Sequence, residues 1–207
     1  MAIVFPLDLP AVPGIESSRF GLEFNNTVFT SPVNKVSQVL RRPGTLWSGL
    51  YKLPPMVGAQ ARTWKAWLAS LGGTAGTFKG FDPDARTPQG SAQNGQGLVK
   101  GAGQTGNSLA TDGWPASTPA LLLPGDYFQV GNQLKLITEA VGSDALGNAT
   151  LTFEPALHKS PIDNGALIVV NPVGIFRLVE DAAAAWEVDR VGAHGFSFAF
   201  IEVPEVT

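Results

Sequence analysis

The sequence GFSFAFIEV, residues 195–203, has the clearest strand pattern of the chain. Large apolar side chains alternate along it, so one face of a predicted strand carries phenylalanines and the other carries smaller apolar residues. The phenylalanines are Phe196, Phe198 and Phe200, and the smaller residues are Ala199, Ile201 and Val203. A strand that is apolar on both faces must be covered on both. We therefore expect it to lie in the centre of a β-sandwich, or to bury its second face against a partner.

Short strand patterns elsewhere in the chain predict a mainly β fold. Before about residue 81 and after residue 172, apolar or β-branched runs are separated by turn signals such as RRPG at 41–44. The predicted strands span residues 20–24, 28–29, 33–39, 45–53, 78–81, 176–179, 186–190 and 196–203. Residues 180–185 fit either a helical turn or a loop. We expect these strands to form a single β-sandwich.

One helix is predicted, over residues 59–71. Its large apolar residues recur at i, i+3, i+4 and i+7, so they share one face. They are Trp64, Trp67, Leu68 and Leu71. Gly72 and Gly73 supply a stop at the C-terminal end. We expect this stripe to be core, with the helix packed on a sheet.

The first residues, 1–18, contain Pro6, Pro10 and Pro13. Proline removes the backbone donor that a central strand needs, so an extended arm or an edge segment is expected here. Such an arm either packs on a neighbouring subunit or is a lead-in loop.

The middle of the chain predicts a second β module. Residues 82–103 are dense in Gly, Pro, Asn, Gln and Ser, which is typical of a linker or a long loop. The predicted strands that follow span residues 98–99, 121–123, 126–130, 134–138, 149–153 and 166–170, with a two-residue turn at 131–132. Their number and length fit a small OB-like barrel. We assign residues 1–93 and 169–207 to a discontinuous β-sandwich domain and residues 94–168 to the inserted barrel.

Composition limits the classes of partner. Charged residues make up 15% of the chain, well below the roughly 25% of typical soluble domains. Such a surface either belongs to a subunit that buries much of it against neighbours or reflects neutral Gly/Ser/Thr-rich loops. The net charge of -3 argues against binding to duplex DNA or an anionic membrane. The chain has no cysteine, and we expect no membrane insertion.

The letters GAGQTG at 101–106 match a nucleotide-binding loop, but the surroundings do not. Such a loop needs a strand before the glycines and a helix after them. Here the sequence ATDGWP follows at 110–115, and it is incompatible with a helix. We interpret the loop as a flexible junction into the inserted barrel.

No catalytic or metal-binding constellation is apparent. The two histidines, His158 and His194, have no carboxylate or second histidine at ligand spacing. The carboxylates are scattered, and pairs such as Asp82 and Asp84 lie in predicted loops. We expect no cofactor and no enzymatic activity, although two carboxylates that meet in space, as in a glycosidase, remain an alternative.

Trp114 is the candidate ligand contact in the barrel. An exposed tryptophan there would stack on a sugar of a host surface glycan, whereas a buried one would belong to the core or its rim. The barrel has too few lysines for nucleic acid. A carbohydrate-binding module is therefore an alternative function.

The nested layout resembles the distal tail proteins of long-tailed, non-contractile bacteriophages, particularly those with an OB-like insertion. The resemblance covers most of the chain and rests on loosely specific structural motifs. They are WKAWLASLGG at 64–73, GTF at 76–78, GQTGNSL at 103–109, PGDYFQV at 124–130, GNATLTFEP at 147–155 and GFSF at 195–198.

The resemblance implies a structural role without catalysis. It implies a homohexameric ring in the virion, at the tail tip, between the tail tube protein and a trimeric hub or central fibre. The sandwich would form the belt of the ring, and the inserted barrel would project outward. Assembly would take place in the host cytoplasm.

Overall fold

The computed structural model describes residues 3–188 and 193–204. Its strands are β1 Ser17–Glu23, β2 Asn26–Thr30, β3 Ser37–Arg41, β4 Leu46–Met56, β5 Phe78–Gly80, β6 Leu98–Val99, β7 Gly106–Asp112, β8 Tyr127–Val130, β9 Gln133–Ile137, β10 Ala149–Leu157, β11 Leu167–Ile168, β12 Gly174–Leu178, β13 Trp186–Val188 and β14 His194–Glu202. The helices are α1 Gly58–Leu71 and two 3₁₀ turns, Gly73–Ala75 and Asp181–Ala184. The predicted fold class, mainly β with sandwich-like sheets, one α-helix and a small barrel, is confirmed.

The main sheet has the strand order β1-β4-β14-β12-β5, and β13 pairs with β14 beside this path. The predicted central strand therefore lies in the centre, between β4 and β12. Phe196, Phe198 and Phe200 are buried on its inner face. Tyr51 of β4 lies directly opposite Phe198, with its ring edge-on to the phenylalanine ring.

Helix α1 covers the inner face of this sheet, as predicted. Its stripe is buried, and Trp64 and Trp67 both contact the ring of Phe198. The helix starts one residue earlier than predicted and ends at Leu71, as predicted. Gly72 caps it with a φ of 62°, in the left-handed region that glycine favours.

The N-terminal arm lies along the edge of the same sheet. Leu7 pairs with Phe78 in a parallel bridge, and Lys79 donates its N–H to the carbonyl oxygen of Leu7 at 2.8 Å. Trp67 donates its indole N–H to the carbonyl oxygen of Asp8 at 2.8 Å. The arm therefore covers the edge of β5 in the same chain.

The second sheet has the order β11-β8-β9-β10-β7-β6. Leu98 in β6 bridges to Ala166 next to β11, so the ends of the sheet meet and the barrel is nearly closed. Gly131 and Asn132 form the predicted two-residue turn, because Val130 and Gln133 are directly paired. The barrel has a core of its own, but Tyr127 and Leu134 pack into the core of the main sheet instead.

Three details of the predicted strands were wrong. Residues 33–36 form a turn, and the strand begins at Ser37, because the proline at 32 and the Asn34 side chain favour a bend. Residues 121–123 contribute only a single bridge, from Leu122 to Val141. Strand β7 was missed, because its sequence GNSLATD has few large apolar residues. The predicted strand at 186–190 extends into residues that lie outside the described ones.

Candidate interaction surfaces

The hairpin β2–β3 forms a two-stranded sheet of its own. Val28 lies opposite Val39 on one face, while Phe29 and Leu40 belong to the other face. All four side chains are about half exposed or more. An isolated hairpin is at best marginally stable in water. The hairpin therefore carries half-exposed apolar side chains on both of its faces.

The tip of this hairpin is also apolar. Ser31 donates its N–H to the carbonyl oxygen of Val36 at 2.9 Å, and Lys35 closes the turn with a φ of 58°. The turn holds Val33 at the outermost position, with 91% of its surface exposed.

The outer face of the main sheet is a second uncovered surface. Leu50 and Ala199 are paired on it, next to the paired Gly21 and Ser48. Leu50 is 39% exposed, and a groove of about 440 Å³ runs across these strands. The sequence predicted that the second face of β14 would be covered. In the described chain it is covered neither by a second sheet nor by the helix, and this leaves the expectation of a partner open.

The main sheet and the barrel are joined by buried polar contacts. Trp47 donates its indole N–H to the carbonyl oxygen of Leu134 at 2.8 Å. The backbone N–H of Trp47 donates to Oε2 of Glu202 at 3.0 Å, and Nε2 of His158 lies 3.5 Å from the same oxygen. Tyr127 donates its hydroxyl to Oδ2 of Asp82 at 2.9 Å. These contacts fix the barrel to β4 and β14 of the main sheet and to Asp82, which follows β5.

Lys135 lies fully buried close to this junction. Its Nζ donates to the carbonyl oxygen of Ala156 at 2.9 Å. Burial lowers the pKa of Lys135 to about 8, and the carboxylates of Glu202 and Glu154 oppose that shift.

Trp114 does not lie on the surface. It is 4% exposed, its indole N–H donates to Oγ1 of Thr111 at 2.7 Å, and Gly97 packs against its ring. No face of the ring is open for a sugar, so the suggested glycan contact at Trp114 is wrong. The other Phe and Tyr residues of the barrel are buried as well, namely Tyr127, Phe128 and Phe153.

The GAGQTG loop connects β6 to β7. It is therefore a loop between two strands of the barrel, and the predicted junction into the barrel is not located here. Gln104 holds it in place, since its side chain donates to the carbonyl oxygens of Lys100 and Gly101 and accepts the N–H of Ala110. The N–H of Gly101 donates to the carboxylate of Asp163. A strand follows the loop instead of a helix, so the arrangement that binds phosphate is not formed.

Asp181 is a further titratable residue with a structural contact. Asp181 accepts hydrogen bonds from the N–H and hydroxyl of Thr74, which lower the pKa of its carboxyl. The Nδ1 of His194 is buried without a hydrogen-bond partner in the described chain. Residues 3–188 and 193–204 contain no group of three His, Asp or Glu side chains arranged for a metal ion. None of the helices in these ranges is long and apolar enough to cross a membrane.

No protein-family model matches this chain, and no curated protein matches it.

Proposed function

We propose that this chain is a structural subunit of a bacteriophage tail tip. It assembles as a homohexameric ring that joins the tail tube to a trimeric hub or central fibre. The nested layout and the motifs quoted above support the proposal through their resemblance to distal tail proteins. The low charge of the chain is also typical of a subunit with extensive neighbour contacts.

The observation that carries the proposal is the hairpin β2–β3. Apolar side chains such as Val28 and Phe29 point from both of its faces into solvent. A monomer gains nothing from an uncovered apolar ribbon, whereas a subunit in a ring buries it against its neighbour. The uncovered face around Leu50 is a second surface of this kind, suited to an adjoining subunit or an axial partner.

The oligomeric state of the purified protein tests the proposal. Light scattering and negative-stain imaging are expected to give a ring with six times the 21.7 kDa mass of the chain. A variant in which an Asn-Gly turn replaces residues 27–40 keeps the pairing of Asn26 with Arg41 and is expected to be monomeric.

The matched control is Leu146→Asp, which adds a charge at an exposed loop of the barrel and leaves the hairpin intact. This control is expected to form the ring. A wild-type protein that stays monomeric at high concentration would rule out the belt.

A further inference from the structure

An apolar pocket of about 340 Å³ opens between the N-terminal arm and helix α1. Residues 9–11 and 13–15 of the arm, including Pro10 and Pro13, contribute to its lining together with Trp64, Phe81 and Pro83. A pocket made of prolines and aromatic rings accepts a compact apolar side chain.

Trp64, which lines this pocket, has a buried indole N–H. Its side chain is 1% exposed, and its Nε1 is buried without an acceptor in the described chain. Trp47, Trp67 and Trp114 all donate their indole N–H to an oxygen at 2.7–2.8 Å. A buried donor without a partner is unfavourable. The lining of the pocket therefore includes a tryptophan whose donor is unsatisfied in the described chain.

The tip of the hairpin β2–β3 carries a compact apolar side chain of the kind that this pocket accepts. Val33 is the outermost apolar side chain of the tip and follows Pro32, so a compact apolar pair is presented with its backbone carbonyls. The hairpin carries these residues away from the main sheet of its own subunit.

Charge favours the same pairing. From Phe24 to Phe81 the chain has no aspartate or glutamate, and Lys35 lies at the hairpin tip. The chain neighbours of the pocket lining are mostly acidic. They are Asp8, Glu16, Asp82 and Asp84, with Lys65 as the basic exception.

Not all of these carboxylates are available. Asp8 pairs with Lys79 and Glu16 pairs with Lys52 in the same subunit. Asp84, in contrast, is exposed and makes no ion pair in the described chain, so it is the natural counterpart of an incoming lysine.

We propose that the hairpin tip of one copy of this chain occupies the arm pocket of the next copy. Val33 fills the pocket, and Lys35 pairs with Asp84. Hairpin and pocket are different surfaces of the same chain, so the contact is heterologous and generates a ring if the rotation closes. This inference rests on the proposed function and names the partner surfaces within the ring.

Disulfide crosslinking tests the pairing. Because the chain has no natural cysteine, only the introduced cysteines can form a disulfide. A Val33→Cys protein and an Ala11→Cys protein are mixed before assembly and then oxidised. Ala11 lies on the pocket wall and is exposed. The expected result is a heterodimer on a non-reducing gel, which can form only between two chains.

Two matched mixtures serve as controls. Leu146→Cys, 84% exposed in a barrel loop, is expected to crosslink weakly with Ala11→Cys. Equal yields from Val33→Cys and Leu146→Cys would overturn the proposal. Val4→Cys, 80% exposed in the N-terminal segment, tests the other occupant, and preferential crosslinking there would assign the pocket to that segment instead.

A charge exchange tests the ion pair. Lys35→Glu and Asp84→Lys are each expected to weaken ring formation at low salt by several-fold, and the double variant is expected to restore it. A wild-type ring without crosslinking at Val33 and without restoration would overturn this contact and leave the proposed function standing. A monomeric wild-type protein would overturn both.

Discussion

The indole N–H of Trp47 and the carbonyl oxygen of Leu134 are joined by a buried hydrogen bond of 2.8 Å between the main sheet and the barrel. Trp47 lies on β4 and Leu134 on β9, and both side chains belong to the core of the main sheet. The barrel is therefore built on the sheet as part of one packed and hydrogen-bonded structure, and loss of this bond should be measurable in the stability of the whole chain.

Trp47→Phe is expected to lower the free energy of unfolding by about 2–4 kcal/mol. The variant leaves the Leu134 carbonyl without its donor and removes part of a fully buried ring. Urea unfolding measures the change. Trp186→Phe is the control, because Trp186 is 45% exposed, and it should change stability by less than about 1 kcal/mol. Equal effects of the two variants would contradict the role of the hydrogen bond.

Gly49 is expected to tolerate no larger residue. An added Cβ would lie 2.4 Å from the ring of Phe200 and 2.8 Å from the carbonyl oxygen of Arg19. Gly49→Ala should cost about 2–4 kcal/mol, since the ring that it would displace is fully buried in the core. Gly21 is the matched control, because it lies on the neighbouring strand with no atom within 4 Å of its Cβ position. Gly21→Ala should be neutral or slightly stabilising in thermal unfolding, and a similar loss at both sites would argue against crowding at Phe200.

Local pattern was sufficient to predict the elements whose side chains repeat with a clear period. The alternating phenylalanines of β14 and the stripe of α1 both lie where they were expected. The free hairpin could not be predicted as uncovered, since Val28 and Phe29 have the pattern of an ordinary half-buried strand.

Contacts that depend on long-range packing could not be predicted from the sequence. Lys135 is buried and lies close enough to Glu202 to interact with its charge, although the two residues are far apart in the chain. No local spacing in the sequence predicts this contact. Trp114 shows the same limit, because the sequence left its exposure open and the closure of the barrel buries it.

Trp114→Ala is expected to destabilise the barrel. The ring is 4% exposed and its N–H donates to Thr111, so its removal leaves a cavity and removes a buried hydrogen bond. A loss of about 3–5 kcal/mol is expected in chemical unfolding. Leu146→Ala, at an 84% exposed position, should stay within about 0.5 kcal/mol of the wild type. A fully stable Trp114→Ala protein would show that the indole is not part of the core.

Lys135 is expected to make stability depend on pH above neutrality. Its pKa is about 8 in the folded protein against 10.5 as the ordinary value. The unfolded chain therefore binds more protons between these values, and the free energy of unfolding rises as the pH rises through this window. The contribution is fully present above about pH 10.5 and is lost as the pH falls through about 8.

Comparison of the wild type with Lys135→Met isolates this effect, because the two proteins have every other titratable group in common. Between pH 7 and pH 9.5 the wild type should gain about 2 kcal/mol relative to Lys135→Met, as measured by urea unfolding at each pH. The range stops below the ordinary tyrosine pKa, since burial raises the pKa values of Tyr51 and Tyr127, and their contribution is lost only at higher pH. Parallel curves for the two proteins would show that Lys135 does not lose its proton in the folded state within this range.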